Sequence, residues 1–162
     1  MEVILALLVA ALLPASAPPQ TVAKASARPP VVLFMCPHGA AKSVMASAYF
    51  QKMAKERGLN VRVDAAGTDP QPELSTAVVA RLKKDGYAIP IEKPRAATAS
   101  DMNGADVVIS MGCDLSKLPA PKGTLKNWNV PEFSANFDAA EQAIRDQVTA
   151  LVDELVARQK GK

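Results

Sequence analysis

The residues best suited to chemistry in this sequence lie between Cys36 and Ser43. Residues 31–35 are apolar and partly β-branched, which predicts a short buried strand, and the Pro-His-Gly run after Cys36 favours a tight loop. Ser43 is expected to N-cap the helix that follows. A cysteine between a strand end and a helix N-terminus faces unpaired backbone N–H groups and the positive end of the helix dipole. This setting favours a thiolate and a bound oxyanion, so we predict that Cys36 is a nucleophile.

The loop that follows Cys36 is the predicted anion-binding site. Lys42 brings a positive charge to it, although a lysine in a first helical turn, taken alone, would be a solvated surface residue. A lone cysteine at a strand end is commonly an apolar filler of the core. The loop, the basic residue and the helix together favour a nucleophile instead. The predicted substrate-binding residues are Pro37, His38, Gly39, Ala40, Ala41 and Lys42.

The second cysteine, Cys113, follows the clearest strand of the sequence, residues 106–111. Ligands of open α/β sheets bind outside the carboxyl ends of the strands, and both cysteines stand at such ends. We therefore expect Cys36 and Cys113 to face one pocket. The sequence leaves three roles open for Cys113: an apolar filler of the core, a redox partner of Cys36, or one half of a disulfide.

Composition excludes several classes of protein. The chain has 162 residues, 49% of them apolar, and a net charge of +3, which suits one globular domain. Its basic residues are scattered and its aromatic residues few, so nucleic acid is not a predicted partner. Two cysteines and one histidine leave no zinc-ligand spacing, and neither a metal nor a cofactor is predicted.

The N-terminus has the composition of an export signal. Residues 3–13 are continuously apolar, too short to span a bilayer but of the length of a signal-peptide core. Glu2 stands where a positive charge is expected, and Pro18 follows the Ala-Ser-Ala triplet that resembles a cleavage site. We predict a signal peptide within residues 1–27, a linker to residue 30, a domain over 31–162 and a periplasmic location. The alternative is a membrane anchor formed by an uncleaved N-terminus.

Strand and helix patterns alternate along the rest of the chain, which predicts an α/β domain with a mostly parallel sheet. After the strand that ends at Cys36, strands are predicted over 61–66 and 106–111. An amphipathic helix with Ala77, Val78 and Leu82 on one face is expected over 74–84, and a helical turn near 99–102. Longer helices are predicted over 43–57 and 138–158, whereas residues 114–137 carry no regular pattern.

These motifs resemble the low-molecular-weight protein-tyrosine-phosphatase superfamily, which includes cysteine-dependent arsenate reductases. The resemblance rests on Cys-x5-basic-Ser after the first strand and on Ala-Ala-Gly-Thr after the second, at residues 65–68. The run ending in Met-Gly-Cys113 and the Trp128-x-x-Pro131-acidic motif are more similar to the reductase branch. The resemblance implies a three-layer α/β domain with a four-stranded parallel sheet flanked by helices and the nucleophilic loop after strand one.

The resemblance also implies roles for single residues. Cys36 matches the nucleophile, Ser43 the hydroxyl that steadies its thiolate, Glu132 the general acid, and Cys113 the thiol that attacks the first cysteine in the reductases. Lys42 stands where the superfamily has an arginine. It keeps the positive charge but lacks the planar guanidinium group that can bind two oxygens of an anion at once. Three other family positions differ: His38 replaces a glycine, Gly39 an asparagine and Lys117 a cysteine.

Three functions are consistent with this pattern. The first is hydrolysis of a phosphomonoester through a covalent phospho-intermediate on Cys36, with Glu132 protonating the leaving oxygen. The second is reduction of arsenate with the Cys36 and Cys113 thiols. The third is non-catalytic oxyanion binding, favoured by Lys42 in place of arginine. The predicted partners are phosphate, arsenate or a phosphorylated substrate, and a thiol reductant.

Overall fold

The computed structural model describes residues 28–161, so the predicted signal peptide and its cleavage site lie outside the described residues. Four strands and four helices follow one another in this part of the chain. In order they are β1 (Val31–Cys36), α1 (Lys42–Glu56), β2 (Arg62–Gly67), α2 (Thr76–Lys84), α3 (Ala99–Gly104), β3 (Val107–Ser110), β4 (Thr124–Asn127) and α4 (Phe137–Lys160).

The strands form one parallel sheet in the order β2-β1-β3-β4, which confirms the predicted fold class. β1 and β3 are the central pair, and their near-continuous apolar sequences are typical of strands covered on both faces. Met35 pairs with Ser110, so both strands end at the same edge of the sheet. Cys36 and Cys113 therefore follow neighbouring strands at that edge.

Alternate residues of β1 point into two apolar clusters, one on each face of the sheet. Val32, Phe34 and Cys36 belong to the larger cluster, with buried residues of α1, α2 and α4. Leu33 and Met35 belong to the smaller one, with Met102 of α3. The result is three layers, with the two longest helices on the face to which Cys36 belongs.

Three sequence predictions are wrong in detail. α1 begins at Lys42 with Ala41 at the N-cap position and no side-chain cap, so Ser43 is not the cap. A fourth strand, β4, lies within residues 114–137, where no regular element was predicted from the residue pattern. Its four residues are mostly exposed at the edge of the sheet, so they carry no apolar run. Ala77 is exposed, whereas Val78 and Leu82 are buried as predicted.

In the described part of the chain, no helix combines the length and the apolar character that crossing a membrane requires.

Candidate active site

Cys36 lies at the end of β1 and is 4% exposed. Its Sγ atom is 3.2 Å from the hydroxyl oxygen of Ser43, in the first turn of α1. Ser43 is free for this contact because it is not the N-cap, and Ser47 holds that turn by donating to the Ser43 carbonyl at 2.7 Å. With Cys36 as a thiolate, the Ser43 hydroxyl is the hydrogen-bond donor, which is the role that the resemblance implies for it.

Two glycines allow the loop after Cys36 to fold against the end of β2. Gly39 has a φ of +60°, a left-handed conformation that favours glycine, and its N–H donates to the Cys36 carbonyl at 3.2 Å. A Cβ atom on Gly39 would lie 2.8 Å from the Gly67 nitrogen, and one on Gly67 would lie 2.5 Å from the Gly39 nitrogen. Side chains at these positions would force the two segments apart.

The segment after β2 holds the carbonyl groups of the loop. The Pro37 carbonyl accepts from the Asp69 N–H at 2.8 Å, and the His38 carbonyl accepts from Gln71 at 3.1 Å. Within residues 28–161, the N–H groups of His38, Ala40 and Ala41 have no hydrogen-bond partner. Loop N–H groups of this kind, next to the N-terminus of α1, are suited to binding an anion.

His38 is exposed, and its Nδ1 atom lies 3.3 Å from the Asp69 carbonyl oxygen. Its ring therefore contacts the segment after β2 at the edge of the loop.

Lys42 is buried, with 6% of its surface exposed, so the interpretation of an isolated solvated lysine does not hold. Its Nζ atom donates to the Val130 carbonyl at 3.1 Å and to Glu132 Oε1 at 2.5 Å. The Glu132 side chain is itself 73% exposed. The structure thus brings the loop cation and the predicted general acid together across 90 positions of sequence.

The segment that carries Glu132 is fixed to the sheet. The Trp128 N–H donates to the Ser110 carbonyl at 2.8 Å, and the Trp128 ring lies 5.6 Å from the ring of Phe34. Trp128 is therefore a packing anchor that sets where Glu132 can reach.

Cys113 is half-buried, and its N–H donates to the Ser110 hydroxyl at 3.4 Å. Burial raises the pKa of the Cys113 thiol; hydrogen bonds with Ser110 and Thr68 oppose this, and the charge of Cys36 raises the pKa further. Both cysteines are free thiols, and they follow neighbouring strands at the same edge of the sheet. Sequence reasoning missed the contacts of Ser110 and Thr68, although Thr68 ends the Ala-Ala-Gly-Thr motif.

Other features of the described residues do not compete with this site. No group of three His, Cys, Asp or Glu side chains in residues 28–161 is arranged to hold a metal ion. A groove of about 1050 Å³ lies elsewhere, between α1 and the start of β2, and is lined by residues that include Lys52, Val61 and Tyr87. None of the predicted site residues lines that groove.

Comparisons with known proteins agree with this fold. The family model for low molecular weight phosphotyrosine protein phosphatase matches residues 31–146. A putative arsenate reductase from Halobacterium salinarum is 24% identical over 124 residues, which cover 75% of this chain and 87% of that protein.

Two solved structures are also similar. A thioredoxin-dependent arsenate reductase from Corynebacterium glutamicum has a TM-score of 0.67 and 27% identity, over 82% of this chain and 64% of that one. This chain thus spans just under two thirds of the reductase. A low molecular weight phosphotyrosine phosphatase from Vibrio cholerae has a TM-score of 0.68 and 23% identity, over 77% of this chain and 95% of that one.

The family model covers most of the chain, including the loop after Cys36, and the relatives are named as phosphatases or as arsenate reductases. The chain therefore belongs to the low molecular weight phosphotyrosine protein phosphatase family.

Proposed function

We propose that this protein uses Cys36 to attack a bound tetrahedral oxyanion, and that its reaction is the thiol-dependent reduction of arsenate. The observation that carries the proposal is the position of the second thiol. Cys113 follows β3, the neighbour of β1, at the same edge of the sheet as Cys36. Hydrolysis of a phosphate ester has no use for this thiol, whereas reduction of arsenate does.

In the first step the Cys36 thiolate attacks the arsenic of hydrogen arsenate, and one As–OH group leaves as water after it takes a proton from Glu132 in its carboxylic acid form. The free N–H groups of His38, Ala40 and Ala41 stabilise the anion, together with the charge of Lys42. In the second step the Cys113 thiolate attacks the Cys36 sulfur. The electron pair of the S–As bond goes to arsenic, which leaves as arsenite, and the two cysteines become a disulfide.

The disulfide must be reduced before a second turnover. Lys117 stands where a further relay cysteine is expected, so we propose that an external dithiol attacks the Cys36–Cys113 bond directly. The similar reductase from Corynebacterium glutamicum is described as thioredoxin-dependent, and a dithiol protein of that kind is the reductant proposed here. In an exported protein, an oxidising compartment would favour the disulfide and make the activity depend on the redox state.

Phosphomonoester hydrolysis is the second candidate, and it shares the first step. The contact between Lys42 and Glu132 favours it, because the contact brings a carboxyl group to the N-terminal turn of α1. Water would then hydrolyse the phospho-cysteine, and Cys113 would not take part.

One set of assays separates these functions. The reduced protein is incubated with arsenate and a dithiol reductant, and arsenite is measured for the parent, Cys36→Ser and Cys113→Ser. We expect arsenite from the parent alone. Arsenite production by Cys113→Ser at the parental rate would contradict the proposed second step. Hydrolysis of an aryl phosphate by the parent but not by Cys36→Ser, without arsenite production, would favour the phosphatase instead.

A further inference from the structure

The ammonium group of Lys42 is already occupied in the absence of a bound anion. A lysine has three N–H donors, and Lys42 directs two of them to the Val130 carbonyl and to the Glu132 carboxylate. An oxyanion that enters the loop meets a cation whose charge is already paired. The loop arginine of the family has five N–H donors, so it can bind two such partners and still have donors left for an anion.

The backbone of Glu132 is held independently of this ion pair. Its carbonyl accepts hydrogen bonds from Ala135 at 3.0 Å and Asn136 at 3.2 Å. The nearby Val130 is 8% exposed, and its carbonyl is bound by Lys42. The Glu132 side chain, in contrast, is 73% exposed. Rotation of this side chain alone can release Lys42 while the segment stays in place.

We propose that Glu132 is a resident competitor for Lys42, so that an oxyanion binds by displacing the Glu132 carboxylate from the ammonium group. This inference rests on the anion site proposed for residues 36–43. Lys42 carries one positive charge, and two anions that compete for it bind more weakly than either would alone. Glu132 thereby lowers the affinity of the loop for oxyanions.

The test is the affinity of the reduced protein for inorganic phosphate, measured by isothermal titration calorimetry. Glu132→Gln keeps the shape of the side chain and a hydrogen-bond acceptor for Lys42 but removes the charge. We expect it to bind phosphate about threefold to tenfold more tightly than the parent, since ion pairs with an exposed partner are weak. Glu132→Ala should change the affinity in the same direction. Melting curves without phosphate verify that both variants are folded.

The matched control is Glu73→Gln. Glu73 is also exposed, and it lies on the segment whose Gln71 and Ser75 N–H groups bind the loop carbonyls. Its substitution removes the same charge without touching Lys42, and we expect less than about a twofold change in affinity, because the charge lost is exposed and screened. If Glu73→Gln and Glu132→Gln raised the affinity for phosphate equally, the cause would be the change in net charge, and the inference would be overturned.

Equal or weaker phosphate binding by Glu132→Gln, or no binding by any variant, would also overturn it. In a Lys42→Met background, the further substitution Glu132→Gln should no longer change the affinity, because the competition needs the ammonium group. Phosphate binding requires no turnover. The inference can therefore fail while arsenite production succeeds, and the reverse holds as well.

Discussion

The sulfur of Cys36 and the hydroxyl oxygen of Ser43 are 3.2 Å apart, although the residues are seven positions apart in sequence. The contact joins the end of β1 to the first turn of α1, and both residues are buried. The loop between them must therefore turn back on itself, which the positive φ of Gly39 permits. The hydroxyl is placed to donate to the thiolate, and this makes Ser43 a direct test of the nucleophile.

Ser43→Ala is expected to slow the alkylation of Cys36 by iodoacetamide at neutral pH by about threefold to tenfold, because one hydrogen bond to the thiolate is lost. The rate is followed by mass spectrometry. Ser47→Ala is the matched control, since Ser47 is buried in the next turn and bonds to the Ser43 carbonyl. A similar slowing in both variants would indicate a general disturbance of α1 instead of a contact with the thiolate.

The raised pKa of Cys113 predicts how the proposed reduction depends on pH. Burial, the largest cause, keeps the pKa of this thiol above the ordinary value of 9.0. The thiolate fraction then grows about tenfold between about pH 7 and pH 8. The rate at which arsenate causes the Cys36–Cys113 disulfide to form, measured by quenching and mass spectrometry, should rise with the same slope. A rate that is flat over this range would exclude Cys113 attack as the slow step.

Gly39→Ala is expected to lower the free energy of unfolding by about 3 kcal/mol, since it combines an unfavourable φ with a clash against the Gly67 backbone. Gly58→Ala separates the two effects. Gly58 has a similar φ of +67°, and a Cβ there meets nothing within 4 Å. Its substitution should cost only about 1 kcal/mol. Both values come from urea unfolding, and equal losses would contradict the close approach of Gly39 to Gly67.

Arg95 joins two elements near the loop, β2 and α3. It bonds to Asp64 of β2 at 2.7 Å and to Asp101 of α3 at 2.8 Å, and its carbonyl accepts from Gly67. Arg95→Met should lower the free energy of unfolding by about 1 kcal/mol, since the contacts are only partly buried. Arg57→Met, which breaks an exposed pair with Asp153, is the control and should cost less.

The same cluster predicts a dependence of stability on pH. Burial by itself raises the pKa of Asp101, but hydrogen bonds from Arg95 and Thr98 outweigh it, and the pKa is lowered from 3.8. A carboxyl of this kind stabilises the fold above its unfolded pKa, and the effect is lost as the pH falls through the folded pKa. Asp101→Asn should therefore be less stable than the parent at about pH 7. The difference should shrink below about pH 4, and a constant difference would contradict the assignment.

The alternation of strands and helices follows from local patterns, and most elements were predicted to within two residues. Val31–Cys36 is an apolar, β-branched run, and Gly58 and Gly86 end helices by adopting positive φ. β4 was missed from the residue pattern because it is short, exposed and at the edge of the sheet. Its presence follows from pairing with β3, which no local pattern encodes.

The types of the site residues were also evident from the sequence, because a cysteine, a basic residue and a serine at fixed spacing follow a strand. The tertiary structure alone decided their contacts. It placed Glu132 on Lys42, brought Gly67 against Gly39 and set Cys113 beside the strand of Cys36. These pairs are separated by tens of residues, and the order and register of the parallel strands determine which of them meet. Spacing along the chain therefore predicted a nucleophile, and only the fold showed that its loop cation is already paired.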